Sequence, residues 1–287
     1  LPALGYPPLA ERTRHKGLTM TTKQDEFTVF SQQLSTLVGM DLSYYARNQM
    51  ERRLGNFQTR YRLQDYGVFI STLKTNPEML AELKDFLTIN FSEFFRNPAV
   101  YKDIEEVFFQ PASKTGLGKK YRIWSAGCSV GAEVYSLAML ASEYNMLNQC
   151  TFLAADIDQT IINKAQAGFY TDNKMLVHVK PELKNKYMPT VTQGGKEGFQ
   201  IIPALRNAVR FRKMDLLKDN YDGMQDLILC RNVVIYFTAE AQKMLYEKFY
   251  NALAKDGILV VGGTERVPRE LGHLFRELKP YIYQRID

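Results

Sequence analysis

The 287-residue chain is poor in the residues that build metal sites and disulfide frameworks. Its three cysteines, Cys128, Cys150 and Cys230, form no CxxC pair and no Cys/His metal spacing. An odd count without a pairing motif fits free thiols. Its three histidines, His15, His178 and His273, stand far apart and outside any ligand motif, so no metal site is expected. No run approaches the roughly 20 apolar residues of a membrane-spanning helix. The N-terminus also lacks the basic, apolar, small-residue order of a secretory signal. A cytoplasmic protein without membrane insertion is the expectation. Charge of one sign is scarce as well. The net +6, from 37 Lys and Arg against 31 Asp and Glu, favours an acidic partner without choosing among nucleic acid, anionic membrane and acidic protein.

What is present has the composition of a soluble globular protein, 45% hydrophobic and 24% charged. Residues 1–24 carry Pro2, Gly5, Pro7 and Pro8 without apolar periodicity and are expected to form a flexible tail. Met20-Thr21-Thr22-Lys23 reads like a natural start, with an added or upstream extension before it. Residues 25–88 read as a small helical domain. Phe27, Phe30, Leu34 and Leu37 recur at helix spacing before Gly39. Asp41 is expected to cap a second helix with Ala46, Met50, Leu54, Phe57 and Tyr61 on one stripe. Two shorter helices fit Tyr66–Leu73 and Pro77–Leu87. A unit of about 60 residues cannot bury a large core alone, so docking on the rest of the chain is expected.

Residues 89–110 read as a linker and 111–287 as an α/β domain. Strands are predicted at Tyr121–Ser125, Thr151–Ala155, Asp226–Cys230 and Gly257–Gly262, with a last edge strand at Pro280–Arg285. Helices near Glu133–Tyr144, up to about Gln166, and at Ala239–Leu253 alternate with them, which implies a doubly wound sheet. The less regular Val177–Met214, with Gly194-Gly195, suggests a small antiparallel insertion.

Ligands of open α/β sheets bind at the carboxyl ends of the strands, and four segments place chemistry there. Ser125 to Glu133 is a small-residue turn leading into a helix N-terminus, neither GxGxxG nor a P-loop. Alone, such a turn serves packing as readily as binding. Asp156 ends the next strand, where a carboxylate can accept both hydroxyls of a ribose; equally, Asp156 or Asp158 can cap the following helix. Asp226–Cys230 runs into polar Arg231-Asn232 and then Ile235-Tyr236-Phe237, a set of donors over the sheet edge or a solvated strand stop. Before the sheet, Asn90, Ser92 and Arg96 flank Phe94-Phe95, which suits either a lid or a linker docking its aromatics. Taken together, the first two segments favour an adenosine-containing ligand without a pyrophosphate.

Read in order, GMDLSYYARNQMERRL, LTINFSEFFRNP, IWSAGCSVGAEVYSLAM, ADID, DLILCRN-VVIYF and GGTE resemble the chemotaxis protein methyltransferase (CheR) family, collinearly from about residue 26 to the C-terminus. The resemblance implies a Rossmann-like methyltransferase domain with a small antiparallel insertion, about residues 177–214, behind an all-helical N-terminal domain. It implies S-adenosylmethionine as cofactor, S-adenosylhomocysteine as product, and glutamate side chains of a chemoreceptor's cytoplasmic helical domain as substrate. Asn90, Ser92 and Arg96 would approach the cofactor from the linker, over the turn at Gly127. Glu133 and Asp156 would hold its amino-acid and ribose portions, Asp215-Leu216 its adenine, and Arg231-Asn232 would lie beside the sulfonium. Arg96 and Tyr236 would lie nearest the substrate carboxylate as catalytic residues. Two departures stand out: Gly131-Ala132-Glu133 where the family usually reads GEE, and Gly262-Gly263-Thr264-Glu265 where it reads GHSE.

A glutamate of pKa near 4.3 is ionised at neutral pH, so methyl transfer to it requires no general base. The lack of a His/Asp or Cys/His pair fits that chemistry. Between Leu42 and Arg62, five arginines face one glutamate, a net of +4. Arg47, Arg52, Arg53 and Arg60 are therefore the expected docking residues for an acidic receptor bundle. A monomer that binds no nucleic acid is expected. The competing readings are an S-adenosylmethionine-binding signalling scaffold without turnover, and a methyltransferase acting on another substrate such as RNA.

Overall fold

The computed structural model describes residues 23–88, 92–115 and 118–287. Helix α1 (Lys23–Val38) buries Phe27, Phe30, Leu34 and Val38 on one stripe and stops at Gly39, whose φ of +74° is left-handed. Asp41 does act as a cap, but on a single 3-10 turn, Leu42–Tyr44, through the amide of Ser43. The second helix, α2 (Arg47–Arg60), starts only after Ala46. Residues 44–46 cannot join it because they are bonded elsewhere: Thr238 N–H donates to Tyr44 O and Ala46 N–H to Tyr236 O, both at 2.8 Å. Helices α3 (Tyr66–Thr75) and α4 (Pro77–Thr88) complete the unit, each with a side-chain cap, from Asp65 and Asn76. Its core is Phe30, Leu34, Leu54, Phe57, Phe69 and Leu83, with Phe57 and Phe69 stacked 5.7 Å apart.

The segment read as a linker carries a helix. α5 (Pro98–Ile104) passes through a π turn at Glu105–Phe109 into α6 (Gln110–Ser113). It packs Val100, Tyr101, Ile104, Phe108 and Phe109 into the main core.

The main sheet is built of β1 (Tyr121–Ala126), β2 (Cys150–Asp156), β6 (Val209–Lys213), β7 (Gln225–Cys230), β8 (Leu253–Val261), β9 (Phe275–Lys279) and β10 (Ile282–Arg285). Its order is β6-β2-β1-β7-β8-β10-β9, parallel through β8 and antiparallel for β10 and β9. A separate antiparallel sheet joins β3 (Phe169–Tyr170), β4 (Thr190–Gln193) and β5 (Lys196–Gln200), with Gly194-Gly195 at positive φ in the hairpin turn. Alternate residues of the central strands serve opposite faces. Ile123, Phe152, Leu227 and Val260 meet α7 (Ala132–Glu143) on one side. Trp124, Leu153, Ile228 and Leu259 meet α11 (Ala239–Ala252) on the other. Both faces are covered, so these strands read as near-continuous apolar runs. Helices α8 (Gln159–Ala167), α9 (Pro181–Tyr187) and α10 (Pro203–Ala208) fill the connections.

Two expectations shift. Val209–Lys213, placed in the insertion by the sequence reading, pairs in parallel with β2, while the small sheet begins earlier, at Phe169. The strand expected as an edge, β10, lies between β8 and β9, and β9 forms the edge. The chain runs outward from β1 through β2 to β6, then returns on the other side of β1 as β7. That reversal opens a crevice at the strands' C-terminal ends.

Candidate cofactor and substrate site

A cavity of about 240 Å³ occupies that crevice. Of the ten residues expected at the cofactor, nine line it: Ser92 and Arg96 from before α5, Gly127 and Glu133 after β1, Asp156 after β2, Asp215 and Leu216 after β6, and Arg231 and Asn232 after β7. The tenth, Asn90, lies outside the described residues. Tyr236 lines the same cavity.

The turn after β1 is tied to the end of β2. Gly127 and Cys128 donate to Ala155 O at 2.8 and 2.9 Å, and Ser129 N–H donates to Asp156 Oδ2 at 2.8 Å. Gly127 has φ +79°, and a Cβ there would sit 2.5 Å from Val233 Cγ2. Only glycine lets the turn pass beneath the segment after β7. The ambiguity between Asp156 and Asp158 resolves cleanly. Asp158 caps α8 through Thr160 and Ile161, while Asp156, held by one amide on each oxygen, faces the cavity. Burial pushes the Asp156 carboxyl above the usual range, and the amides of Asp158 and Ser129 pull it back.

Glu133 sits in the first turn of α7. It accepts from Ser125 Oγ at 2.7 Å and faces Arg231 Nη1 at 3.5 Å. Burial raises its pKa, with Arg231 and Ser125 opposing. Ala132, where the family usually has an acid, is fully buried, so Glu133 is the carboxylate this turn presents. The Arg231 side chain, 2% exposed, also donates to Arg96 O at 2.8 Å, tying the end of β7 to the segment before α5.

That segment is pinned as the paired phenylalanines suggested. Phe94 N–H donates to Met175 O and Phe95 N–H to Ser136 Oγ, each at 3.0 Å. Their rings meet Tyr170 and Tyr101 edge-on at 5.0 and 5.1 Å. Arg96 is thereby delivered to the cavity from a rigid stretch. Burial pushes the Tyr236 hydroxyl upward while Arg53 and Arg96 pull it down, so both guanidinium groups act on this phenol. Arg53, expected only among docking residues, packs over Phe86 at 5.1 Å and donates to Phe86 O. On the same helix Arg47 pairs with Glu51 at 2.7 Å, Arg60 pairs with Glu82 at 3.1 Å, and Arg52 is exposed.

Sequence reasoning passed over Glu265 as a functional residue. This carboxylate, 4% exposed, accepts from four amides: Gly262 at 2.6 Å, Val234 at 2.8 Å, Asn232 at 2.9 Å and Ile235 at 3.4 Å. It fixes the turn that carries Asn232 and Tyr236. An acid two residues beyond the Gly-Gly pair that follows a buried strand was the available signal.

The residues fit an adenosylated amino acid. Ser129 Oγ is buried on the cavity wall without a hydrogen-bond partner among the described residues, ready to meet a ligand's polar group. Two carboxylates on the cavity wall, Asp156 at a strand end and Glu133 in a helix's first turn, suit ribose hydroxyls and an ammonium. Among the described residues, no cluster of three or more His, Cys, Asp or Glu could hold a metal, and no helix is long and apolar enough to cross a membrane.

Residues 90–282 match the family described as "CheR methyltransferase, SAM binding domain", and residues 25–88 match "CheR methyltransferase, all-alpha domain". The chain belongs to the CheR methyltransferase family. A chemotaxis protein methyltransferase of Listeria monocytogenes is 34% identical over 91% of this chain and 97% of its own length. One of Borreliella burgdorferi is 30% identical over 86% and 94%. Among solved structures, a TehB-like SAM-dependent methyltransferase from Corynebacterium glutamicum covers 66% of this chain and 97% of its own at 15% identity and a TM-score of 0.35. This CheR methyltransferase is an enzyme of chemotaxis that uses S-adenosylmethionine.

Proposed function

We propose that this enzyme esterifies glutamate side chains on the acidic, helical cytoplasmic domain of a chemoreceptor, and works as a monomer in the cytoplasm. The observation that carries the reading is one cavity with two kinds of wall. Carboxylates Glu133, in the first turn of α7, and Asp156, at the end of β2, line it together with Arg96 and Tyr236, and Tyr236 is bonded through its carbonyl to the start of the arginine-bearing helix α2. S-adenosylmethionine supplies a methyl group on a sulfonium, and S-adenosylhomocysteine is left behind.

The residues divide the work by charge. Glu133 takes the ligand's ammonium, Asp156 its ribose hydroxyls, and Asp215 and Leu216 border its adenine; Ser92, Gly127, Arg231 and Asn232 shape the remaining wall. Arg96 orients the incoming carboxylate, and Tyr236, a neutral donor, bonds the oxygen that does not attack. No protein group has to move a proton, because the substrate arrives ionised. Rate enhancement then comes from alignment and removal of water around the nucleophile. Arg47, Arg52, Arg53 and Arg60 steer the receptor toward the site.

Transfer of labelled methyl to a receptor cytoplasmic fragment, followed by mild alkali, tests the proposal. Release of the label as methanol is expected for a carboxyl ester. Label that stays on the protein, or no transfer despite binding of S-adenosylhomocysteine, would overturn it.

A further inference from the structure

The matched cofactor-binding domain spans residues 90–282, yet the cavity wall extends beyond it. Met40 and Tyr45 of the helical unit line the same cavity as Asp156 and Asp215. The local sequence explains how they arrive there. Gly39 ends α1, Asp41 turns the chain, and Tyr45 is extended, with φ −96° and ψ 143°. That conformation lets Tyr45 form an antiparallel bridge with Phe237, flanked by the Ala46–Tyr236 and Tyr44–Thr238 hydrogen bonds. The Tyr45 ring then meets Phe237 edge-on at 5.1 Å and 72°. Backbone and ring are both fixed, so the direction of the side chain is set before any ligand enters.

The hydroxyl is set among carboxylates. Burial first, then Asp215, Asp156 and Asp41, hold the phenol far above its usual range, so it remains a neutral donor. Around it the wall is made of carboxylates and of aliphatic side chains such as Ile157, Met214 and Leu216. Tyr45 adds to this wall an aromatic face and a hydroxyl donor within electrostatic reach of Asp156 and Asp215.

We infer that Tyr45 is a cofactor-recognition residue lent by the helical unit, covering the adenosine half of S-adenosylmethionine with its ring and donating its hydroxyl to an adenosine acceptor. This rests on the reading that Asp156 and Asp215 border the ribose and adenine. It makes the helical unit part of the cofactor site as well as the docking platform.

The test is equilibrium binding of S-adenosylhomocysteine and of 5′-methylthioadenosine, which keeps the adenosine half and lacks the amino acid, to the full chain and to Tyr45→Ala and Tyr45→Phe. Tyr45→Ala is expected to weaken both ligands by one common factor of about tenfold or more, as loss of a stacked aromatic does. Tyr45→Phe is expected to weaken both by a smaller common factor. KM for S-adenosylmethionine should rise in step while kcat at saturating cofactor stays within about twofold, the mark of lost uniform binding. Tyr45→Phe keeps the ring against Phe237, so a loss of affinity at unchanged thermal midpoint does not come from unfolding. Unchanged affinity in both variants, or a loss confined to kcat, overturns the inference and leaves Tyr45 as packing for Phe237. Wild-type protein that binds neither ligand would instead remove the reading of the cavity, and this inference with it.

Discussion

The backbone N–H of Ala46 donates to the carbonyl of Tyr236 at 2.8 Å. One hydrogen bond thus separates the residue that opens the arginine-rich helix α2 from the tyrosine facing the proposed substrate site. Gln49 Nε2, one turn into the helix, adds a bond to Ile235 O at 3.1 Å. A receptor helix seated on α2 would therefore meet the reactive end of the cavity with little freedom between docking surface and chemistry. Backbone bonds of this kind do not depend on side-chain identity, which leaves the Tyr236 hydroxyl free to serve the substrate.

Replacing that hydroxyl is the direct test of Tyr236. A hydrogen bond to a charged group contributes about 1.5–3 kcal/mol, so Tyr236→Phe should lower kcat by about tenfold or more. The ring and its backbone bond to Ala46 remain, so affinity for S-adenosylhomocysteine should not change. Steady-state kinetics beside equilibrium binding separate the two effects. Weakened cofactor binding at normal kcat would move Tyr236 out of the substrate site.

Cofactor affinity should depend on pH through Glu133 and Asp156. Burial raises both carboxyls, from ordinary values of 4.5 and 3.8. A raised pKa means that protons are taken up at higher pH than usual. Protonation removes the charge that holds the ammonium and weakens acceptance from the ribose. Affinity for S-adenosylhomocysteine should fall as pH drops, starting while still above 4.5. A titration that stays flat down to that value would show that the Glu133 carboxylate does not contact the ligand in its charged form.

Much of this site was legible because strand ends are chemically abrupt. Apolar Leu227-Ile228-Leu229-Cys230 gives way to Arg231-Asn232 in one step, and Ala154-Ala155 to Asp156 likewise, so the polar residues over the crevice could be read off the chain. The helix from Pro98 to Ser113 was hidden by its two prolines and by a π turn that breaks the 3.6-residue spacing. Val209–Lys213 alternates apolar and basic residues as an edge strand does, which disguised its place in the main sheet. Tyr45 and Glu265 make contacts with the 231–237 segment that are distant in sequence, and the Gly-Gly pair before Glu265 marks a turn without naming its partners. The Gln49–Ile235 bond, for one, spans 186 positions.

Glu265 lends itself to a stability test. Glu265→Gln keeps the shape but turns an amide donor toward backbone N–H groups that now share a carboxylate. Disrupting a buried charge-assisted bond of this kind costs about 2 kcal/mol. At about 2–4 °C per kcal/mol for a chain of this order, the thermal midpoint should fall by about 4–8 °C. A midpoint equal to wild type would mean that the turn holds its conformation without the carboxylate.

The docking face makes a prediction about salt. Arg47 and Arg60 are engaged with Glu51 and Glu82, but as partly exposed surface pairs, and such pairs are worth only about 0–1 kcal/mol. Exchanging those internal partners for a receptor's carboxylates therefore costs little, so the pairing does not disqualify the face. Arg52 stands exposed on the same helix. Arg52→Glu and Arg60→Glu should each raise KM for a receptor fragment by about threefold or more at low ionic strength, where the Debye length reaches roughly 30 Å at 0.01 M. Near 1 M salt, where it shrinks to about 3 Å, the difference from wild type should largely vanish. Neither change touches the cavity wall, so binding of S-adenosylhomocysteine should be the same in all three proteins. If KM ignores both the charge reversals and the salt, the receptor docks elsewhere, and the arginines of α2 serve only the helical unit's own surface.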